Sequence, residues 1–343
     1  MPEESIDHIN FEELNKKALS KPLVNHMYTA DPSAHVFNGK IYIYPSHDID
    51  AGEAFDDLGS HFAMEDYHVL SMDSIESDAV DNGVALHVKD VLWAKQQMWA
   101  PDANEKNGTY YLFFPAKDYD GIFRIGVASS NSPTGPFKAQ SKAIKGSFSI
   151  DPAVFKDDNE DYYMYFGGLW GGQLQRWRTG VFNGAQPDSP LAFIPEANEP
   201  ALLPFVAKMS DDLLEFAEKP KELQIIDENG QLLMSGDTDR RFFEAAWMHK
   251  HKGKYYFSYS TGDTHFICYA IGDNPYGPFT YKGRILNPVV GWTSHHSVCD
   301  VNGKTYLFYH DSSLSKGVTH LRSVKVAELT YRADGSIVTI DPY

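Results

Sequence analysis

A short sequence pattern recurs five times along this chain, and it constrains the fold more than any other feature. Each copy has a polar or acidic head, a short apolar run, a polar turn and an aromatic strand that returns, which is typical of a β-hairpin. The copies are ADPSAHVFNGKIYIYPS from Ala30, WAPDANEKNGTYYLFFPA from Trp99, SIDPAVFKDDNEDYYMYFGG from Ser149, FEAAWMHKHKGKYYFSYS from Phe243 and HHSVCDVNGKTYLFYHD from His295. The chain therefore contains five equivalent antiparallel units.

The number and spacing of the copies predict the architecture. They begin roughly 50 to 90 residues apart, and one such unit cannot bury both of its faces alone, so the units have to stack on one another. Stacking around an axis gives a five-bladed β-propeller with about four strands per blade. We expect an all-β protein in which residues 22–343 form one propeller domain and residues 1–21 form an N-terminal arm. A β-sandwich or an irregular solenoid is the alternative.

The first residues of the five copies predict where the functional site lies. In a propeller the innermost strand of each blade begins near the axis, so the heads point at one shared pocket. Counted back from the turn, the heads are Asp31, Ala100 (with Asp102 two residues later), Asp151, Glu244 and the pair His295–His296. A single acidic residue at such a place is usually a turn or cap residue. Because three carboxylates and a histidine occupy equivalent positions, we expect them to form one site.

Composition excludes some partners. Aromatic residues make up 14% of the chain, with 20 Tyr and 21 Phe, which suits a strand-rich core and offers flat rings to a hydroxylated ligand. The formal net charge is −17, and no run of Lys and Arg with interleaved aromatics occurs, so nucleic acid is not an expected partner. No stretch approaches the roughly 18 apolar residues of a membrane span, so no membrane association is expected.

Two further features bear on the cellular compartment. The first residues, MPEESIDHINFEELNKK, lack the basic and apolar regions of a secretory signal. We therefore expect a cytoplasmic protein, or a periplasmic or secreted one if a signal peptide has been removed. Cys268 and Cys299 lie in apolar, strand-like contexts without metal or redox spacing, which predicts two buried free thiols.

One long interruption separates the third and fourth copies. The segment between Thr179 and Arg241 is rich in Pro and acidic residues, and we expect an insertion that shapes the site from one face, with a short helix around residues 210–217. The preceding GGLWGGQLQRW contains glycines that allow the backbone to approach a ligand or a neighbouring strand closely.

With the heads aligned at Asp31, Asp151 and Glu244, the chain resembles glycoside hydrolase family 43. Its members are five-bladed propeller enzymes, typically β-xylosidases, α-L-arabinofuranosidases, arabinanases and xylan-debranching enzymes. The resemblance covers roughly residues 22–333 and is carried by YTADPSAHVFNGKIYIYPSHD, MWAPDANEKNGTYYLFFPA, IDPAVF, FFEAAWMHK and HHSVCDVNGKTYLFYHD. It implies that Asp31 is the general base, that Asp151 tunes the acid and orients the substrate, and that Glu244 is the general acid.

The chain departs from the family pattern at one place. Many members have Glu-Gly-Pro where this chain has Glu244-Ala245-Ala246, which keeps the acid but puts the local backbone shape in doubt.

The chemistry of glycoside hydrolysis asks for the same set of carboxylates. An inverting glycosidase needs an ionised carboxylate to activate water and a protonated one to donate to the leaving oxygen, roughly 6.5–9.5 Å apart. Asp31 and Glu244 belong to blades that are not neighbours, which predicts inversion. A negative charge on Asp151 would help to keep Glu244 protonated.

We therefore expect an inverting glycosidase that cleaves α-L-arabinofuranosyl or β-D-xylosyl linkages of hemicellulose-derived oligo- or polysaccharides. A glycosidase of another sugar, such as a galactoside, and a carbohydrate-binding propeller without catalysis are the alternatives.

Four further side chains are expected to bind the substrate, namely Trp99, Asp102, Trp170 and Arg322. The two tryptophans could stack on a sugar ring or pack in the core. By the resemblance, Arg322 reaches the pocket from the last blade and binds sugar hydroxyls, but it could equally lie on a strand surface.

His295 and His296 have two interpretations. Each ring could be hydrogen-bonded in the channel wall, or His296 could bind a hydrated cation on the axis, because some family members carry calcium near such a histidine. Calcium prefers oxygen, so waters or carboxylates would have to complete its shell. No cofactor is expected to be required for the chemistry itself.

Overall fold

A computed structural model describes residues 8–54, 56, 58–185, 189 and 192–343 of the chain. Within these residues, five sheets form the five blades of a β-propeller, so the predicted fold class is confirmed. Residues 1–7 of the expected N-terminal arm lie outside the described residues. Helix α1 (Phe11–Lys17) follows, and Asn10 caps it by accepting a hydrogen bond from the Glu13 N–H at 3.2 Å. None of the described helices is long and apolar enough to cross a membrane.

The sheets follow the five repeats in chain order, and each is mainly antiparallel. Blade one consists of β1 (Tyr28–Phe37), β2 (Lys40–Asp48), β3 (Asp66–Met72) and β4 (Val80–His87). Blade two consists of β5 (Ala94–Gln96), β6 (Asp102–Lys106), β7 (Thr109–Asp118), β8 (Phe123–Ser130) and β9 (Lys138–Ala139). Blade three consists of β10 (Ala153–Lys156), β11 (Tyr162–Phe166), β12 (Phe205–Lys208) and β13 (Lys221–Glu222). Blade four consists of β14 (Ile225–Ile226), β15 (Glu244–His251), β16 (Lys254–Ser260), β17 (Ile267–Gly272) and β18 (Phe279–Leu286). Blade five consists of β19 (His296–Val301), β20 (Lys304–Asp311) and β21 (Ser323–Leu329). Short 3₁₀ turns lie at Val88–Asp90, Trp170–Gly172 and Leu174–Trp177.

The hairpin turns explain why the five copies share one sequence pattern. In four blades the two turn residues both have positive φ, as a type I′ turn requires, and Asn or Lys followed by Gly occupies them. These turns are Asn38-Gly39, Asn107-Gly108, Lys252-Gly253 and Asn302-Gly303. Blade three uses a longer turn, in which the Asp157 N–H donates to the Asp161 carbonyl at 2.8 Å.

A separate apolar cluster fills the space between each pair of neighbouring blades. Each cluster combines large side chains of two blades, for example Tyr44 with Phe114, Phe113 with Met164, Tyr165 with Phe257, Tyr269 with Leu307, and Ile43 with Phe308. Each of the two cysteines belongs to one of these clusters, where burial raises the pKa of both thiols to about 12. Both are free, as predicted.

The segment before β1 closes the ring. It runs beside β21, where the Leu23 N–H donates to the Val324 carbonyl at 2.9 Å, and at the start of β1 the Thr29 N–H donates to the Arg322 carbonyl, also at 2.9 Å. Blade five therefore gains its outer pairing from the start of the chain, and blades one and five are joined by backbone hydrogen bonds.

The interruption between blades three and four differs from the prediction. Strands β12, β13 and β14 lie within it, so much of the segment belongs to the blades, and residues 186–188, 190 and 191 lie outside the described residues. The predicted helix around residues 210–217 is wrong. The segment is a tight turn in which Asp212 accepts hydrogen bonds from Ser210 Oγ and the Leu214 N–H, an alternative to helical pairing that short polar side chains favour.

A buried ion pair links the last two strands, and it yields a stability prediction. Lys325 Nζ on β21 lies 2.7 Å from Asp311 Oδ2 at the end of β20, and both side chains are almost fully buried. Lys325→Ala should lower the free energy of unfolding by about 3–5 kcal/mol, because Asp311 is left as a buried charge without a cation. Urea unfolding followed by fluorescence measures the loss.

Lys304→Ala is the matched control. Lys304 and Glu328 form a pair at 2.8 Å between the same two strands, but both side chains are exposed, so solvent replaces the interaction. The free energy of unfolding should change far less than in Lys325→Ala, and equal effects in the two variants would contradict the burial argument.

Candidate active site

The heads of all five repeats line one pocket of about 590 Å³. Asp31, Ala100, Asp151, Glu244 and His295 each come from a different blade. The walls are aromatic and include Phe62, Trp99, Trp170, Phe243 and Trp292. A polar centre with flat apolar walls is the usual constitution of a small-molecule site.

Irregular backbone aims the carboxylates into this pocket. Asp31 and Asp151 have φ of 49° and 56°, and Ala245, directly after Glu244, has φ of 62°. The pairing registers of β1 and β15 shift at Ala30–Ser33 and Glu244–Trp247. Such bulges bend a strand and redirect its side chains. Ala245 thus adopts a conformation that glycine reaches more easily, at a cost of about 1–2 kcal/mol.

Asp31 is held as an anion. Its Oδ1 accepts from Arg322 Nη1 at 2.9 Å, and its Oδ2 accepts from Ser46 Oγ at 2.7 Å. Its own N–H donates to His310 Nδ1 at 3.0 Å. Burial alone would raise the pKa of Asp31, but the positive charge of Arg322, the neighbouring His295 and His310 and the Ser46 hydrogen bond together outweigh it and lower the pKa to about 2. Arg322 is the permanent charge among them, because burial keeps both histidine rings neutral. Asp31 is therefore ionised and fixed in orientation.

Arg322 is oriented by a second buried carboxylate. Asp48, at the end of β2, accepts from Arg322 Nε at 2.8 Å and from Nη2 at 2.7 Å, and also from the Arg322 N–H at 2.9 Å. This two-pronged contact fixes the plane of the guanidinium. The interpretation of Arg322 as a strand-surface residue is wrong, since its side chain is 3% exposed and lines the pocket.

Glu244 and Asp151 are both held in the protonated direction. Burial, followed by the charge of Asp31, raises the pKa of Glu244 to about 8, although Arg322 opposes the rise. Burial, followed by Glu244 and Asp31, raises the pKa of Asp151, although the Ala245 N–H donates to its Oδ2 at 2.8 Å. The expected cause of the raised Glu244 pKa, a negative charge on Asp151, is not among the causes. Burial and the charge of Asp31 raise this pKa, and Glu244 in turn raises the pKa of Asp151.

The two adjacent histidines have different environments. His295 lines the pocket, with Nδ1 3.7 Å from Asp31 Oδ1 and 3.9 Å from Asp151 Oδ2, and burial lowers its pKa to about 4, so the ring is neutral. His296 is fully buried outside the pocket lining, and its Nε2 lies 2.6 Å from Ser258 Oγ. Its Nδ1 has no hydrogen-bond partner among the described residues.

The remaining candidate residues are not all brought together. Trp170 lines the pocket, with its ring centroid 5.4 Å from that of Trp292. Trp99 forms part of the wall and part of the core, since it is 8% exposed and packs on Phe123. Asp102 is not a pocket residue. It is 1% exposed, and its oxygens accept from the Val154 N–H, Ser33 Oγ and the Ala103 N–H, so it has no free face for a sugar.

The pocket also contains or depends on residues that the sequence analysis missed. These are Ser46, Asp48, Phe62, Trp292 and His310. Three of them end the second strand of a blade, and the register of β1 with β2, in which Ala30 pairs with Ser46, brings that end beside the head. The sequences YPSHD at the end of β2 and LFYHD at the end of β20 could therefore have identified Ser46, Asp48 and His310.

The wall that the long interruption was expected to supply comes from elsewhere. No described residue between 179 and 241 lines the pocket, whereas several between 54 and 64, after β2, do so.

Comparison with known proteins agrees with this geometry. The sequence model described as glycosyl hydrolases family 43 matches residues 80–183. A xylosidase/arabinosidase of Humicola insolens is 58% identical over 94% of this chain and 99% of its own length. A xylosidase/arabinosidase of Bacteroides ovatus is 56% identical over 95% of this chain and 98% of its own.

A solved structure resembles the whole fold. It is a family 43 β-xylosidase/α-arabinofuranosidase from a compost microbial metagenome, in complex with xylotriose and in a calcium-free form. The two chains superpose with a TM-score of 0.92 and are 65% identical, over 94% of this chain and 98% of that one.

The charges around Arg322 lead to a testable shift in two pKa values. In Arg322→Leu the pKa of Asp31 should rise, because burial is then opposed by fewer positive charges, and the pKa of Glu244 should rise as well, because Arg322 lowers it. Arg322→Lys keeps a charge but cannot hold two carboxylates at once, so its shifts should be smaller. Carbon-13 NMR titration of carboxyl-labelled protein measures both values.

Arg284→Leu is the control for the loss of an arginine. Arg284 on β18 pairs with Asp239 at 3.1 Å on the surface and does not line the pocket. Its removal should leave the pKa values of Asp31 and Glu244 unchanged. An Asp31 pKa that stays near its original value in Arg322→Leu would contradict the assigned cause.

Proposed function

The chain belongs to glycosyl hydrolase family 43, and from this membership and the pocket we propose how it hydrolyses β-D-xylosyl and α-L-arabinofuranosyl linkages. It is a glycosidase of the xylosidase and arabinofuranosidase type, as are the relatives at 56–58% identity over nearly its full length. The observation that carries the mechanism is the pairing of a carboxylate held ionised, Asp31, with an acid held protonated, Glu244, in one aromatic-walled pocket.

Asp31 serves as the general base in this proposal. A water that donates a hydrogen bond to Asp31 is deprotonated as its oxygen attacks the anomeric carbon. Arg322 donates one hydrogen bond to Asp31 Oδ1, and Ser46 donates one to Oδ2. Each carboxylate oxygen can still accept a second hydrogen bond. The carboxylate is thus restrained but still able to receive the proton.

Glu244 serves as the general acid. Its raised pKa keeps the proton on the carboxyl group at neutral pH, where it can be given to the leaving-group oxygen as the glycosidic bond breaks. Asp151 lies beside this acid, through the hydrogen bond from the Ala245 N–H. We assign it, with the neutral His295, the orientation of substrate hydroxyls, because Asp151 is itself held in the protonated direction and supplies no charge that raises the pKa of Glu244.

The walls favour a sugar ligand. Trp170, Trp292 and Phe62 present ring surface to the pocket, and such surface packs against the apolar face of a sugar ring. The pocket holds one carboxyl group with a lowered pKa, Asp31, and one with a raised pKa, Glu244. This difference argues against a carbohydrate-binding propeller without catalysis, since binding alone needs no acid with a raised pKa. The relatives' names support xylosides and arabinofuranosides over galactosides.

The stereochemistry of the product tests the mechanism. Hydrolysis of an aryl β-D-xyloside should release α-xylose first, because water attacks from the face opposite to the leaving group. Proton NMR in the first minutes, before mutarotation, resolves the two anomers. Early β-xylose, or methyl xyloside formed in added methanol, would instead require a covalent glycosyl-enzyme and overturn the proposal.

Two variants separate the acid from the base. Glu244→Gln should lower kcat on xylobiose by about 10²–10⁴-fold and far less on an activated aryl xyloside, because only the poor leaving group needs the proton. Asp31→Asn should lower kcat on both substrates, since the water must be activated in either case. Equal losses on the two substrates in Glu244→Gln would remove Glu244 from the acid role.

We also propose that calcium, when it binds, binds at His296. The fit rests on the His296 Nδ1, a buried polar atom without a partner among the described residues. Calcium takes 6–8 ligands, mainly oxygens, so waters have to supply most of its shell. The ion would supply positive charge and local stability, whereas the acid and base are supplied by Glu244 and Asp31 without a cofactor.

Chelation tests the calcium proposal. Calcium added to chelator-treated protein should raise Tm, because a ligand that binds only the folded state stabilises it. The same addition to His296→Gln should leave Tm unchanged, and comparison within each variant cancels any loss from the substitution itself. A calcium-insensitive Tm in the parent protein, with no calcium found by metal analysis, would contradict the proposal.

A further inference from the structure

A cluster of histidine and aspartate side chains lies on blade one, outside the active-site lining. His47 lies on β2, and Asp66 and His68 lie on β3. One potential ligand atom of each lies within 4.8 Å of the others, and all three side chains are partly exposed. His47 Nδ1 is 2.6 Å from Asp66 Oδ1, and the ring centroids of His47 and His68 are 4.7 Å apart. Neither the acid–base pair nor the pocket walls use these residues.

The sheet itself brings the three side chains together. Ser46 on β2 pairs with Tyr67 on β3, so the next antiparallel pair is His47 with Asp66. Asp66 and His68 are two residues apart on one strand and therefore face the same side of the sheet. Because paired backbones fix all three positions, the cluster is a feature of the blade and does not depend on a loop.

A second carboxylate orients one of the imidazoles. Asp81, on β4, lies 2.8 Å from His68 Nδ1 through Oδ1, and 3.0 Å from His26 Nε2 through Oδ2. The Gly83 N–H also donates to Asp81 Oδ1 at 2.8 Å. Metal-binding histidines usually place their second nitrogen on a carboxylate in this way, which fixes the ring and leaves the other nitrogen for the ion.

We propose that His47, Asp66 and His68 bind one divalent transition-metal ion of the zinc type, with water as a further ligand. Two imidazoles and one carboxylate form a three-residue set that zinc accepts with an open fourth position. Imidazole nitrogen favours zinc, nickel or copper over calcium and magnesium. A site with two imidazoles and a carboxylate therefore suits zinc better than the single imidazole of His296 does.

The geometry requires only a local adjustment. Ligand atoms of a tetrahedral ion with bonds of about 2.0 Å are about 3.3 Å apart, so no separation between ligand atoms has to shrink by more than roughly 1.5 Å. Rotation of the side chains, which are 14–22% exposed, has to supply this shift, and for His68 it has to preserve the hydrogen bond to Asp81. The ion then joins β2 to β3 beside Asp48, the residue that holds Arg322.

The test is a zinc titration of the metal-free full-length protein. Isothermal calorimetry with Zn²⁺ alone should show one equivalent bound to this site, with an affinity about 100-fold or more lower in His68→Gln and Asp66→Asn. Asp81→Asn keeps the ligands but loses the orienting charge, so its affinity should fall about 10–100-fold. X-ray absorption should report two imidazole nitrogens on the ion.

Two control variants remove other histidines. His8→Gln removes an exposed histidine outside the cluster, and His296→Gln removes the buried one on β19, so both should bind zinc as the parent protein does. Equal Tm of the metal-free cluster variants and parent establishes that they are folded. No zinc binding by the parent protein, or undiminished binding by His47→Gln/His68→Gln, would overturn the proposal.

Discussion

The buried contact of Arg322 with Asp31 and Asp48 joins the closure of the ring to the chemistry of the site. Asp31 and Asp48 lie on the first two strands of blade one, while Arg322 directly precedes β21 of blade five. The Arg322 carbonyl also accepts the Thr29 N–H, which is part of the backbone pairing between those blades. A buried guanidinium between two carboxylates is tolerable only when its hydrogen bonds are made. The site's electrostatics therefore exist only in the closed ring.

The same contact sets the protonation of the other two acids. The single positive charge of Arg322 is shared by the carboxylates of Asp31 and Asp48 and does not neutralise both. Asp31 can therefore remain ionised while its negative charge still raises the pKa values of Asp151 and Glu244. Burial raises the pKa values of Asp151 and Glu244 further, because a negative charge on either would have little water around it. One residue stays an anion and the other two are pushed towards the neutral form, and this difference is what a single-displacement hydrolysis requires.

The fold and the head carboxylates could be predicted because each depends on local pattern repeated in each blade. The type I′ turns and aromatic strands reveal the hairpins. Asp31 and Asp151 lie eight residues before Gly39 and Asn159, and Glu244 lies nine before Gly253, so spacing from the turn identifies the three heads to within one residue. The pattern could not predict which of two adjacent side chains faces the pocket, or which distant residues the strand pairing brings together. His295 and His296 are adjacent, yet alternate side chains of a strand face opposite ways, and only the first reaches the pocket.

Asp102 shows the limit of an argument from equivalent positions. It is two residues beyond the head of blade two, and its carboxylate is consumed by backbone N–H groups and by Ser33 Oγ. The head itself is Ala100, so this blade places a small apolar side chain where three others place an acid. A fourth carboxylate in the pocket would add a further like charge and raise the pKa of Asp31 towards that of its neighbours. A non-acidic head in blade two therefore helps to keep Asp31 ionised, as its proposed role as the base requires.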